Sequence, residues 1–163
     1  FLSTQARDEA PHYQHSRIGY NYRMSNIVAG IGRGQMKVLP DRVSRRRDNF
    51  TYYQAELANV AGIAFPEEPE GMFSNRWLTT ITVDPEKTGG VTREDIRLTL
   101  QRENIESRPL WKPMHLQPVF QSFPYYGNGV SDHLFENGLC LPSGSNLTAA
   151  DRKRIIRSFL SAF

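Results

Sequence analysis

The side chains that could do chemistry are spread along the chain and form no recognisable catalytic pattern. The four histidines are scattered, and no cysteine or acidic pair beside His12 and His15 gives the spacing of a zinc site. The run 143–145, Ser-Gly-Ser, lacks the strand–turn–helix setting of a nucleophilic serine. The run 30–34, Gly-Ile-Gly-Arg-Gly, is not a GxGxxG phosphate loop and follows no predicted strand. Spacing alone therefore predicts no catalytic residue and no metal ligand.

The segment 108–130 has the composition of a binding loop. It holds four prolines and the aromatic side chains Trp111, Phe120, Phe123, Tyr125 and Tyr126. A long, rigid loop of this kind is often functional, because loops on a rigid scaffold carry many binding residues. The segment is the first place where we expect a ligand.

The charge of the chain leaves two kinds of anionic partner to consider. Net charge is +3, and arginine outnumbers lysine sixteen to four, which suits small phosphate or carboxylate ligands. The run 45–47 is three arginines, which is one sign of nucleic-acid binding. No aromatic-rich basic stripe accompanies it, so a solvated helix face is the favoured interpretation and no nucleic acid is expected.

The single cysteine, Cys140, lies between two leucines and is expected to be a buried structural thiol. One cysteine excludes an intrachain disulfide, and the cytoplasm is the expected compartment. No apolar run approaches the roughly 20 residues that cross a bilayer, so no membrane contact is expected.

A long helix is predicted over 24–58, because its apolar residues recur at helical spacing. These residues are Met24, Ile27, Val28, Ile31, Leu39, Val43, Phe50, Tyr53 and Leu57. Pro40 interrupts the pattern and predicts a break or a kink there.

The remaining elements predict an α+β domain. Strands are expected, from β-branched and apolar content, at 75–83, 105–107 and 139–141. Thr92 and Thr148 each precede an aspartate by three residues, which predicts two helices opened by capping boxes. The core faces of these helices are predicted as Ile96 and Leu100, and as Ile155, Ile156, Phe159 and Leu160. The order of elements indicates a small, largely antiparallel sheet.

Three motifs, in order, resemble the DegT/DnrJ/EryC1/StrS aminotransferases. Residues 19–26 read Gly-Tyr-Asn-Tyr-Arg-Met-Ser-Asn, residues 108–118 read Arg-Pro-Leu-Trp-Lys-Pro-Met-His-Leu-Gln-Pro, and residues 138–143 read Gly-Leu-Cys-Leu-Pro-Ser. The resemblance implies a pyridoxal 5'-phosphate enzyme of fold type I and a homodimer whose sites draw on both subunits. It places 1–23 as a remnant of the large domain with an active-site loop, and 24–163 as the C-terminal small domain.

The same resemblance places the cofactor-binding lysine before the first motif. None of the four lysines, Lys37, Lys87, Lys112 and Lys153, matches the lysine motif. We therefore expect the chain to be the C-terminal portion of a longer enzyme and to be inactive by itself.

The resemblance also implies roles for six residues. Asn21 is expected to donate a hydrogen bond to the cofactor phosphate of the neighbouring subunit, and Arg23 to reach the same region. Trp111 and His115 are expected to face the nucleotide sugar, since an indole packs on a sugar or base ring and an imidazole bonds a hydroxyl or phosphate. Arg76 and Arg108 are expected to pair with the diphosphate, or else with surface acids.

Residues 74–79, Ser-Asn-Arg-Trp-Leu-Thr, taken with the motif at 108–118, most resemble one branch of the family. That branch aminates UDP-linked 4-keto-6-deoxy-N-acetylhexosamines of the bacillosamine type, in polysaccharide biosynthesis, and glutamate is the expected donor. The alternatives are a dTDP- or GDP-linked keto sugar and a non-catalytic member with a regulatory or structural role.

Overall fold

The computed structural model describes residues 3, 5–12 and 14–163 of the chain. The chain divides into two compact units, 1–40 and 41–163. In the first unit, the backbone around Asn21 forms an isolated β-bridge. The Gln5 amide donates to the Tyr20 carbonyl at 3.0 Å, and the Tyr22 amide donates to the Ser3 carbonyl at 3.1 Å. These bonds fix the start of the first motif next to the beginning of the chain.

Helix α1 spans Asn26–Glu56 and includes Pro40. The predicted break at this proline is therefore wrong, whereas the alternative, a kink, stays a prediction. Proline removes one amide donor from the helical ladder, and the bonds before and after it can maintain the helix. Pro40 lies instead at the boundary between the two units.

A four-stranded antiparallel sheet forms the centre of the second unit, in the order β1-β2-β4-β3. Its strands are β1 (Ile63–Ala64), β2 (Thr79–Val83), β3 (Arg108–Pro109) and β4 (Gly138–Leu141). Cys140 of β4 lies opposite Thr80 on one side and Arg108 on the other. The predicted antiparallel sheet is thus confirmed, although β1 was not predicted and the other three strands begin at other residues than predicted.

The differences in the strand boundaries have a local cause at β2. Arg76 adopts a positive φ of 45°, which is incompatible with an extended strand, so β2 begins at Thr79 and not at 75. The strand predicted at 105–107 forms at Arg108–Pro109 instead, where the backbone pairs with β4.

Three further helices lie in the second unit, and the two that begin after Thr92 and Thr148 were predicted from the sequence. The three helices are α2 (Arg93–Arg102), α3 (Val130–Asn137) and α4 (Ala149–Leu160). Thr92 and Thr148 form complete capping boxes with Asp95 and Asp151, as predicted. Two short 3₁₀ turns, Met114–Leu116 and Pro118–Phe120, give local structure to the proline-rich loop.

The core of the second unit is formed by side chains of helices α1, α2 and α4 and of strands β2 and β4. It comprises Tyr53, Leu57, Ile81, Val83, Ile96, Leu100, Ile105, Leu139, Leu141, Ile155, Ile156 and Phe159. Each large apolar side chain buried there contributes about 1.5–3 kcal/mol. Leu160, predicted to be in the core, is 42% exposed at the edge of that face. No helix in the described part of the chain is long and apolar enough to cross a membrane.

The second half of α1 holds the turn that follows β4. Four polar side chains spaced at about one helical turn each bond to this turn: Arg42 to Ser145 Oγ, Arg46 to the Ser143 carbonyl, Asn49 to the Gly144 carbonyl and Tyr53 to the Pro142 carbonyl. The Tyr53 and Asn49 bonds measure 2.9 and 3.0 Å. The turn is therefore fixed to the helix along one face.

Candidate functional site

Asn21 and Arg23, the predicted cofactor contacts, lie in the first unit with exposed side chains. Neither side chain makes a hydrogen bond or an ion pair with another residue in the described ranges. The amide and the guanidinium therefore keep their donors available for an anion. This arrangement suits a phosphate group, and the cofactor role of both residues stays a prediction.

Trp111 stacks on Trp77, and together they form an exposed aromatic pair in the second unit. Their ring centroids lie 5.7 Å apart at an interplanar angle of 29°. Trp77 is 57% exposed and Trp111 is 64% exposed, so more than half of each side chain faces solvent. Sequence reasoning assigned Trp77 to a strand and missed this pairing, because 34 positions separate the two indoles.

The position of Trp77 depends on two arginines. Arg46 donates to the Trp77 carbonyl and also to the Ser143 carbonyl, so it joins the segment before β2 to the turn after β4. The positive φ of Arg76 turns the chain immediately before Trp77. The backbone that carries the indole is thus held by the hydrogen bond at the Trp77 carbonyl and preceded by the turn at Arg76.

His115 is engaged with two partners in the same unit. Its ring stacks on Tyr125 with centroids 3.6 Å apart, and its Nε2 lies 2.6 Å from Oδ1 of Asp132 on α3. Both of these polar atoms are shielded from solvent, and their close contact does not have the geometry of a hydrogen bond. Asp132 therefore fixes the imidazole and ties the 3₁₀ turn to α3, and no sequence pattern indicated it.

Arg76 is largely buried and its guanidinium is occupied inside the protein. It lies 3.8 Å above the centroid of the Phe50 ring, donates to the Pro66 carbonyl at 3.2 Å and approaches Glu68 at 3.9 Å. The structure thus favours the second of the two partners considered for Arg76, an acid. The proposed contact with a diphosphate stays a prediction.

Arg108 is also paired with an acid, but at the surface. Its Nε lies 2.8 Å from Oε1 of Glu106, and 77% of its side chain is exposed. A surface ion pair of this type contributes only about 0–1 kcal/mol. Arg108 can therefore exchange Glu106 for a phosphate at little cost.

Glu68 is the acidic centre of the loop before β2. It accepts two hydrogen bonds of 2.9 Å from Arg47 and another from the Ser74 amide. The hydrogen bonds from Arg47 and from this amide lower the pKa of Glu68 to about 2. The carboxylate therefore stays ionised at neutral pH and holds the loop against α1.

The arginine cluster on α1 is used within the second unit. Arg45 pairs with Asp41 at 2.9 Å, Arg46 binds two carbonyls and Arg47 binds Glu68. Each of the three arginines thus has a partner within the second unit. These contacts make the cluster more than a solvated helix face, because Arg46 and Arg47 hold distant segments.

Two grooves meet at the aromatic pair. One, of about 640 Å³, is lined by Trp111 together with Leu78, Arg108, Leu110, Pro142 and Ser143, among others. The other, of about 310 Å³, is lined by Trp77 and Trp111 with the loop that contains Pro66 and Glu68. Among the described residues no cluster of histidine, cysteine and acidic side chains could hold a metal ion.

The fold and these motifs define the class of protein. The sequence profile of the DegT/DnrJ/EryC1/StrS aminotransferase family matches residues 2–160. The chain belongs to this family, and the predicted α+β fragment of the aminotransferase fold is confirmed.

Relatives and a solved structure agree with this membership. EpsN of Bacillus subtilis (strain 168), which is named as a pyridoxal phosphate-dependent aminotransferase, is 48% identical over 100% of the chain and 42% of EpsN. GDP-perosamine synthase of Vibrio cholerae is 30% identical over 99% of the chain and 44% of the synthase. The crystal structure of the aminotransferase TlmJ from Streptoalloteichus hindustanus superimposes with a TM-score of 0.81, at 21% identity over 99% of this chain and 42% of TlmJ. The last comparison shows the fold alone. The chain spans less than half the length of each of these proteins.

Proposed function

We propose that the chain is part of a pyridoxal phosphate-dependent aminotransferase that transfers an amino group from glutamate to a nucleotide-linked keto sugar. The observation that carries the proposal is the family match across residues 2–160. The 48% identity to EpsN supports the cofactor, and the 30% identity to a GDP-perosamine synthase supports a nucleotide-sugar substrate. When bound, pyridoxal phosphate supplies an electron sink for the exchange of the amino group.

The residues of this chain fit the phosphate end of that cofactor. The exposed Asn21 amide and Arg23 guanidinium are donors without a partner in the described ranges, and both suit a phosphate. We assign Asn21 to the cofactor of the neighbouring subunit in a homodimer. No residue of the chain is assigned the role of the catalytic lysine.

Lys87 does not suit the role of the catalytic lysine. Its ammonium lies 2.7 Å from Oδ2 of Asp84, and the hydrogen bond to this carboxylate raises the pKa of Lys87. A lysine that binds the cofactor must lose its proton, and this pairing opposes that loss. None of the four lysines matches the lysine motif, so we expect the chain by itself to be inactive.

For the substrate, we propose a UDP-linked 4-keto-6-deoxy-N-acetylhexosamine. The stretch 74–79 and the loop that carries Trp111 support this choice through their resemblance to the bacillosamine branch. The principal alternative is a GDP-linked keto sugar, which is favoured by the similarity to GDP-perosamine synthase. Turnover of UDP-, GDP- and dTDP-linked 4-keto-6-deoxy sugars by the full-length protein would rank the three nucleotides.

The cofactor proposal is tested by the absorbance of the full-length protein. It should purify with, or take up, pyridoxal phosphate and show an absorbance band that changes when glutamate is added. The 163-residue chain alone should show no transamination. A full-length protein that binds no pyridoxal phosphate would contradict the proposal and favour a non-catalytic role.

A further inference from the structure

We propose that Trp77 and Trp111 form the surface on which the nucleobase of the nucleotide sugar stacks. The inference rests on the proposed function and deepens it, since it identifies the part of the substrate that the second unit recognises. Trp77 is the new member of this site.

The geometry of the pair leaves aromatic surface free for a third ring. Two indoles 5.7 Å apart at 29° form an offset stack, and each remains more than half exposed. A nucleobase is planar and aromatic, so it can extend the stack on an outer face. Base–aromatic stacking also tolerates different bases, because every base has a π-face.

The surface is fixed before any ligand arrives. Arg46 bonds the carbonyl of Trp77 to the turn at Ser143, and Arg76 packs on Phe50 immediately before the indole. Trp111 follows β3, which is paired with β4. A backbone that is already held by such contacts loses less conformational entropy on binding, which suits the pair to a binding role.

The charge beside the pair indicates a nucleotide and not an uncharged aromatic ligand. Arg108 lines the same groove as Trp111, and its guanidinium is exposed and only weakly committed to Glu106. A diphosphate attached to a stacked base would extend along that groove, where the Arg108 guanidinium could pair with it. An aromatic face with an adjacent guanidinium matches the two ends of a nucleoside diphosphate.

The test measures the affinity of the full-length protein for UDP, GDP and pyrophosphate by calorimetry. Trp77→Leu should weaken the affinity for UDP or GDP, whichever nucleotide the wild type binds, by about 5- to 150-fold. Pyrophosphate, which has no base, should bind Trp77→Leu as it binds the wild type. Trp77→Phe keeps an aromatic face and should retain most of the nucleotide affinity. Phe163→Leu is the matched control, because Phe163 is a half-exposed aromatic residue outside the loop 108–130 that lines neither groove.

Two results would overturn the inference. Nucleotide affinity that is unchanged in Trp77→Leu, or undetectable in the wild type, would show that the pair does not bind the base. An equal loss for nucleotides and pyrophosphate would show that Trp77 acts through the diphosphate or the fold. Failure of the proposed function is a separate outcome, since it would be seen as absent cofactor absorbance and absent transamination in the wild type.

Discussion

Glu68 connects helix α1 to the loop before β2, and its ionisation links the stability of this contact to pH. The carboxylate binds Arg47 through two hydrogen bonds, and these bonds together with the Ser74 amide lower its pKa from 4.5 to about 2. A carboxyl group with a lowered folded pKa stabilises the protein above its unfolded pKa. This contribution should be lost as the pH falls from about 4.5 towards 2.

We predict that Glu68→Gln lowers the free energy of unfolding at pH 7 and flattens its dependence on pH between about 4.5 and 2. Urea denaturation of the wild type and the variant at several pH values measures both effects. Glu67→Gln is the matched control, because Glu67 is the exposed neighbouring acid and forms no ion pair with a described residue. Equal pH dependence in the wild type and Glu68→Gln would contradict the prediction.

Asp132 acts on the loop through His115. The carboxylate lies 2.6 Å from the imidazole Nε2, so its removal takes the acidic neighbour away from a shielded nitrogen. We predict that Asp132→Ala raises the KM for the nucleotide sugar, about fivefold if roughly 1 kcal/mol of positioning is lost. Cofactor absorbance should not change, and steady-state kinetics of the full-length enzyme measure the effect.

Glu136→Ala is the control for this variant, since it removes an exposed carboxylate from the same helix. A KM that is the same in Asp132→Ala as in the wild type would mean that the orientation of His115 does not affect the substrate.

At the scale of elements, the second half of α1 supports the aromatic pair through the turn after β4. The buried hydroxyl of Tyr53 donates to the Pro142 carbonyl at 2.9 Å, and burial raises the pKa of this tyrosine. The same turn accepts a bond from Arg46, which also holds Trp77. One face of α1 thus positions both the turn after β4 and the backbone that carries the Trp77 indole.

We predict that Tyr53→Phe destabilises the second unit by about 1 kcal/mol, because it leaves the partly buried carbonyl of Pro142 without its donor. The midpoint of urea unfolding measures this change. Tyr52→Phe is the control, because Tyr52 is only partly buried and its ring keeps the contact with Arg152. An unfolding midpoint shared by Tyr53→Phe and the control would contradict the role of this bond.

At the scale of the whole molecule, the proposed homodimer makes each active site depend on both subunits. If Asn21 binds the neighbour's cofactor, Asn21→Ala should weaken cofactor retention by about 1.5–3 kcal/mol, the range for a hydrogen bond to a charged group. Dialysis followed by absorbance measurement would detect this loss in the full-length protein.

Mixing two inactive variants tests the cross-subunit role directly. One subunit carries Asn21→Ala and the other carries a substitution of the catalytic lysine of the full-length protein. In a mixed dimer, one site receives both intact residues and should regain activity, while the other site lacks both. Mixed dimers that form but remain inactive would show that Asn21 serves its own subunit or no cofactor.

The sequence by itself determined the features that depend on nearby residues. The capping boxes at Thr92 and Thr148, the core face of α4 and the apolar β4 strand all follow from local spacing, since each involves residues within one or two helical turns or within a single strand. The family was indicated by three motifs, which are also local patterns. The proline inside α1 is an exception, because bonds on both sides of Pro40 maintain the helix.

Only the tertiary structure decided which distant side chains meet. Trp77 and Trp111 stack across 34 positions, and Asp132 reaches His115 across 17. Glu68 likewise pairs with Arg47, although the sequence alone does not distinguish Arg47 from the two arginines before it. Such contacts depend on how the sheet and its core position β2, β3 and α3 relative to one another. A short window of sequence does not determine that position.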